Sequence, residues 1–213
     1  MRIKKPLGYY NYTVILTYLG MLFSFVGMLR AFNEDYVGAI LFLMAAGICD
    51  MFDGNVASTK QRDDSEKKFG IQIDSLSDLI SFGVMPALFV YMITGQSIVA
   101  ALVAALYTLS ALIRLAFFNV NEEERQQRTS ERREVYDGVP VTTIAVILPL
   151  AFLVQNIAEI RGTAGYIALL VVCGIGFISP VEIKKPCGVR KICLILIGIG
   201  EVIGVMLMRW RPI

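Results

Sequence analysis

Apolar residues in this chain fall in long, nearly unbroken runs, neither alternating as in half-buried strands nor striped as in soluble helices. A helix needs about 20 mostly apolar residues to cross a bilayer. Seven segments qualify, at about 12–30, 36–58, 71–94, 97–118, 139–158, 163–181 and 192–208. The second and third qualify only if the aspartates they carry are functional exceptions to the apolar rule. The pattern predicts an all-α fold, a polytopic transmembrane helix bundle of about six to eight spans, with residues 1–213 forming one domain. Connections are short except for 59–69 and 121–137, which are dense in charge and predict solvated loops. The basic start, Met1 to Lys5, has the charge of a signal peptide. The apolar run after it is too long and lacks a small-x-small cleavage site, so a retained first helix is expected. Tyr9, Tyr10 and Tyr12 fit an interfacial aromatic belt beside that helix.

Composition agrees with membrane residence. Of 213 residues, 56% are hydrophobic and 18% charged, and the mean hydropathy is +0.63. Soluble domains are about half apolar and about a quarter charged. A net charge of +2 gives no reason to expect a nucleic-acid partner; membrane lipids are the expected surroundings. The chain has no histidine, which excludes a Ser-His-Asp triad, a His-ligated zinc, a Glu-x-x-His di-iron site and a histidine base. The four cysteines, Cys49, Cys173, Cys187 and Cys193, form no C-x-x-C pair and read as small buried hydrophobes.

Lysine and arginine placement orients the bundle. With the N-terminus in the cytoplasm, 15 of these residues fall in inside segments: Arg2, Lys4 and Lys5, then four in 59–69, four in 121–137 and four in 182–191. Only Arg30, Arg161, Arg209 and Arg211 fall outside, while Arg114 lies within a span. The connection between the second and third spans is therefore expected to face the cytoplasm, at the cell membrane.

The aspartates flank that connection. Asp50, Asp53, Gly54 and Ala57 recur at helical spacing on one face of the second span, and Gly70, Asp74 and Asp78 do so on the third. An ionised aspartate deep in a bilayer costs at least about 2.5–3.5 kcal/mol, so four unpaired ones cost on the order of 10 kcal/mol. Arg114 alone cannot balance them. An oxygen-only ligand set without His or Cys favours Mg²⁺, Mn²⁺ or Ca²⁺. Two such ions, about 3.5–4 Å apart, would stabilise the attacking and leaving oxygens of a displacement at phosphorus.

The pattern D-x-x-D-G-x-x-A, then G-x-x-x-D-x-x-x-D, resembles the signature of the CDP-alcohol phosphotransferases. The resemblance implies a CDP-linked donor, two divalent ions (Mg²⁺ or Mn²⁺), a homodimer and release of CMP. It implies that Asp50, Asp53 and Asp74 hold one metal. Asp78 would hold the second with carboxylates shared from that set, and would take the acceptor hydroxyl's proton as general base. Gly54, Ala57 and Gly70 would line the cytidine-diphosphate pocket. Two departures stand out. Ser58 occupies a place where the family usually has arginine, and the interval from Ser58 to Gly70 is longer than the common pattern. Lys60 or Arg62 is expected to supply the missing charge, so Ser58, Lys60 and Arg62 join the donor-site candidates.

Further stretches resemble the phosphatidylserine synthase branch of that family: Asp74 through Ser81-Phe82-Gly83 to Pro86-Ala87, Arg114 to Asn119, and Tyr136-Asp-Gly138-Val-Pro140. They imply CDP-diacylglycerol as donor and L-serine as acceptor, giving phosphatidylserine and CMP. Serine brings a carboxylate, and Arg114 is the intramembrane cation that could meet it, with Asn119 and Tyr136 as weaker polar candidates. Glu201 is a further intramembrane acid, suited to an interfacial or dimer contact. Other acceptors in the same family (glycerol 3-phosphate, an inositol phosphate, choline), an intramembrane prenyltransferase and a divalent-cation transporter are the rival readings.

Overall fold

The computed structural model describes residues 7–128, 135–160, 162–184 and 189–209. It is a bundle of helices in chain order: α1 (Ile15–Phe32), α2 (Tyr36–Ala57), α3 (Asp64–Asp78), a π-helical segment (Leu79–Val84), α4 (Met85–Ile93) and α5 (Ile98–Arg128). After these come α6 (Ile144–Ile157), α7 (Ala164–Ile178) and α8 (Val189–Arg209). Among the described residues, four stretches are long and apolar enough to cross a membrane: Ile15–Phe32, Tyr36–Ala57, Asp64–Ile93 and Ile98–Arg125. Val141–Ile157 and Ala164–Ile178 are shorter apolar helices. The expected polytopic helical bundle is what forms. One small addition is an antiparallel ribbon of β1 (Val135–Asp137) on β2 (Glu182–Lys184), with Tyr136 opposite Ile183.

α1 packs along α2 through a stripe of small residues, Thr17, Gly20, Ser24, Gly27 and Ala31, all buried. A Cβ at Gly27 would come within 2.9 Å of Met85 Cε and 3.1 Å of Phe42 Cβ, so the helices are nearly as close as backbones allow. α1 also touches α3, filling the space between the two aspartate-bearing helices.

The third span is one continuous helical run with a widened turn in its middle. Pro86 has no N–H, so Phe82 loses its usual helical donor. Tyr107 of α5 replaces it, its hydroxyl donating to the Phe82 carbonyl at 2.7 Å while the ring is 2% exposed. Thr108 Oγ1 donates to the Gly83 carbonyl at 3.4 Å. Beyond this point Phe89 packs edge-on against Tyr36, Phe152 and Tyr166, with ring centroids 5.7, 6.0 and 6.3 Å away, tying α2, α4, α6 and α7 together. Leu102, Leu106, Leu109 and Phe117 on α5, and Leu196, Ile203 and Leu207 on α8, point outward, as lipid-facing positions do.

Both expected long loops are partly helical. α3 begins at Asp64, capped by Asp63, whose side chain accepts from Glu66 N at 2.7 Å. Asp64 and Glu66 then occupy the first turn, where the helix dipole favours acids. α5 runs on to Arg128 through a stretch of good helix formers, with Glu122 and Arg125 paired one turn apart at 2.6 Å. Charge alone had marked these stretches as loop; capping and propensity make them helix. The tyrosines near the start do more than line an interface. Tyr9 packs on Phe69 at 5.2 Å, and Tyr12 shares a 3.2 Å hydrogen bond with Thr59.

Cys49 and Cys173 are buried as expected, Cys193 is exposed on α8, and Cys187 lies outside the described residues. Glu201 is 4% exposed rather than on an outer face. It lies on α8, which packs on α2 and α6, and its carboxyl oxygens have no hydrogen-bond partner among the described residues.

Candidate functional site

α2 carries Asp50 and Asp53 in its last two turns. Because α3 starts at Asp64, Asp74 and Asp78 sit in its last turns, not its first, one step before the π-helical segment. The four carboxyls converge from the two helices. Oxygens of Asp50, Asp74 and Asp78 lie within 4.8 Å of one another. Asp53 closes the group, within hydrogen-bonding reach of Asp74, as Asp50 is of Asp78. α1 braces the quartet from the side: Thr17 Oγ1 donates to Asp53 Oδ2 at 3.3 Å, and Ser77 Oγ donates to the Thr17 carbonyl at 3.1 Å.

Two ionised carboxylates 4 Å apart repel by roughly 4 kcal/mol at an effective dielectric of about 20. A quartet of this kind holds together when a cation shares it. The donors are all hard oxygens on two rigid helices, half-buried and braced by hydroxyls, which fits a divalent ion of the Mg²⁺, Mn²⁺ or Ca²⁺ type.

Beside the quartet opens a cavity of about 510 Å³. Asp53 and Asp74 form part of its wall, with Gly54, Ala57, Gly70 and Ile71, and Thr17 of α1 with Thr13 and Val14 just before that helix complete the apolar and hydroxyl lining. Three cations stand on the wall: Arg62, Lys67 and Arg125. A Cβ at Gly54 would meet nothing within 4 Å, whereas one at Gly70 would come within 3.0 Å of Arg62 Nη1. A second, much smaller void of about 10 Å³ lies deeper, lined by all four aspartates with Ser77, Ser81 and Phe82 among others.

The remaining sequence candidates divide. Gly54, Ala57, Gly70 and Arg62 are on the cavity wall. Lys60 instead pairs with Glu66 at 2.9 Å, an acid that also accepts from Asn11 at 3.1 Å. Ser58 is exposed, and its hydroxyl donates back to the Asn55 carbonyl at 2.7 Å. Neither lines the cavity. Arg114 is 8% exposed and lines neither cavity. It lies on α5 between Ala111, which packs near Gly83, and Asn119, which accepts from Ser75 Oγ at 2.7 Å. That level is the level of Asp78. The side chain of Tyr136 lies outside the described residues. Sequence reasoning missed Thr17, Lys67 and Arg125. The small-residue stripe through Thr17 was a usable signal; nothing local marks Lys67 or Arg125, which sit in stretches read as loop.

The chain matches the family described as CDP-alcohol phosphatidyltransferase over residues 10–175. It is 32% identical over 152 residues to the CDP-diacylglycerol–serine O-phosphatidyltransferase of Saccharomyces cerevisiae, covering 68% of this chain and 54% of that protein. It is 34% identical over 137 residues to the Helicobacter pylori protein of the same name, covering 62% and 54%. With the archaetidylserine synthase of Methanothermobacter thermautotrophicus it shares 30% identity over 189 residues, covering 88% and 76%. The chain thus spans about half the length of the yeast and Helicobacter relatives. The match takes in both aspartate helices, the cavity wall and α5, so this chain, an integral membrane protein, belongs to the CDP-alcohol phosphatidyltransferase family.

Proposed function

We propose that the protein transfers the phosphatidyl group of CDP-diacylglycerol to L-serine, releasing phosphatidylserine and CMP. The observation that carries this reading is the aspartate quartet opening onto a cation-lined cavity at one end of a membrane bundle. A volume of about 510 Å³ lies within the range of small-molecule sites, about 300–1,000 Å³. The printed names of the relatives, which specify serine as acceptor, support the choice of alcohol.

The residues divide the work as follows. Arg62, Lys67 and Arg125 hold the phosphates of the donor, with Gly54, Ala57 and Gly70 leaving room for its nucleotide. Arg62 takes the charge that Ser58 does not supply. Asp50, Asp53, Asp74 and Asp78 would hold two divalent ions, Mg²⁺ or Mn²⁺. When bound, such ions offset charge on the attacking and leaving oxygens of a displacement at phosphorus. Asp78, at the end of α3 and on the wall of the smaller void, accepts the proton of the serine hydroxyl as its oxygen bonds to the diacylglycerol-linked phosphorus. The bond from that phosphorus to the CMP oxygen breaks, and CMP leaves through the cavity. Arg114, buried at the level of Asp78, offers the cation for the serine carboxylate. The active site faces the cytoplasm at the cell membrane, on the lysine and arginine bias, and the assembly carried over from the family resemblance is a homodimer.

The test is CMP release by the purified protein from CDP-diacylglycerol with each of L-serine, glycerol 3-phosphate, inositol phosphate and choline. Release with serine, abolished by EDTA and restored by Mg²⁺ or Mn²⁺, is expected. Release with glycerol 3-phosphate but not with serine overturns the acceptor, and activity indifferent to EDTA overturns the role of the ions.

A further inference from the structure

Ser81 sits three residues beyond Asp78 in the π-helical segment, and it is 2% exposed. Its Oγ has no hydrogen-bond partner among the described residues. Ser24 Oγ on α1 is likewise buried without a partner among the described residues, but unlike Ser81 it lines neither cavity. A serine inside a helix can donate back to the carbonyl one turn earlier, as Ser110 does to Leu106 at 3.0 Å. A buried hydroxyl left unpaired costs about 1–3 kcal/mol. Ser81 instead lines the void of about 10 Å³ whose other polar lining is Asp50, Asp53, Asp74, Asp78, Thr17 and Ser77. Thr17 and Ser77 already spend their hydroxyls, on Asp53 and on the Thr17 carbonyl. Among the described residues no hydroxyl braces Asp50 or Asp78 in this way, and Ser81, one turn beyond Asp78, lines the same void with a proton to give. The void is of the size that admits one water at most.

We propose that Ser81 is a positioning residue for the metal site, donating a hydrogen bond to the Asp50–Asp78 carboxylate pair, directly or through a single water. Thr17 then holds one half of the quartet and Ser81 the other. The widened turn is what makes this possible. Pro86 and the Tyr107 bond to the Phe82 carbonyl hold the segment in its π register, and the Ser81 hydroxyl is left to face the void rather than its own backbone. Groups that orient metal-binding carboxylates typically cost about 10–100-fold in metal affinity when removed.

The inference rests on the reading of the quartet as a divalent-metal site, and its test separates the two. Mn²⁺ binding to the full-length protein in detergent, followed by loss of the free-ion EPR signal, is measured for wild type, Ser81→Ala, Ser81→Cys and Asp50→Asn, with thermal melting as the check on folding. Ser81→Ala is expected to bind Mn²⁺ about tenfold more weakly with the fold retained. Ser81→Cys keeps the volume while offering only a weak donor, so it is expected to be impaired as well, and it decides alone if the alanine variant melts early. Wild-type affinity in Ser81→Cys assigns the residue to packing and overturns the proposal, as does wild-type affinity in Ser81→Ala. A wild-type protein that binds no Mn²⁺, or one whose binding survives Asp50→Asn, overturns the metal reading itself.

Discussion

Two basic residues two positions apart, Lys60 and Arg62, are equal candidates in sequence for the charge absent at Ser58, and the structure gives them different surroundings. Arg62 stands on the cavity wall against Gly70, while Lys60 is held by Glu66. A hydrogen bond to a charged group contributes about 1.5–3 kcal/mol, which is about ten- to a hundredfold in binding. Arg62→Ala should therefore raise KM for CDP-diacylglycerol by at least about tenfold, and Lys60→Ala, a partly exposed pair worth about 1 kcal/mol or less, should leave it nearly unchanged. The reverse order in steady-state kinetics would return the donor contact to Lys60. The aspartates were legible in the sequence because each is expensive in a membrane, so the spacing of four of them already carried meaning. Ser81 was not legible, and Thr17 only as a member of a small-residue stripe. A lone hydroxyl in an apolar run is cheap, and its task appears only when another helix arrives beside it.

Among the elements, the spans were legible from their apolar runs and their ends were not. The helical starts and extensions at Asp64–Phe69 and Asn121–Arg128 carry the very charges that mark solvated chain. Their helicity comes from the Asp63 cap and the Glu122–Arg125 pair, which are features of particular atoms rather than of average polarity. The same holds for the return of the chain from β1 towards α6. Gly138 has φ +73°, and a Cβ there would meet the Phe177 carbonyl at 2.7 Å and that of Ser179 at 3.0 Å. Its N–H donates to the Val181 carbonyl at 2.8 Å, joining this turn to the end of α7. Gly138→Ala thus combines a left-handed backbone with backbone overlap, and it should destabilise by about 1–3 kcal/mol. Thermal melting of the detergent-solubilised protein reads this directly; an unchanged Tm would mean that α7 can move aside without cost. The motif containing Gly138 was visible in the sequence, but the partner that makes glycine necessary, the carbonyl end of α7, is some forty residues away.

At the scale of the molecule, the site and the charge bias share one end of the bundle. Arg62, Lys67 and Arg125 gather at the cavity, while Arg30, paired with Asp35 at 3.3 Å, and Arg209 mark the opposite end of their spans. The positive-inside bias places a lysine- and arginine-rich end in the cytoplasm, which is the orientation proposed for this one. That orientation also suits the chemistry proposed for the site: the cavity admits a polar acceptor from water, while the outward leucines of α5 and α8 meet the acyl chains that hold the donor. Ser58 is a convenient reporter of the arrangement, since it is exposed in the connection beside the cavity and, among the described residues, bonds to its own helix end. In a background with the four native cysteines replaced by serine, Ser58→Cys should react with a membrane-impermeant maleimide in inside-out vesicles and stay unlabelled in intact cells. Labelling from outside would invert the bundle, and with it the compartment from which serine is drawn and into which CMP is released.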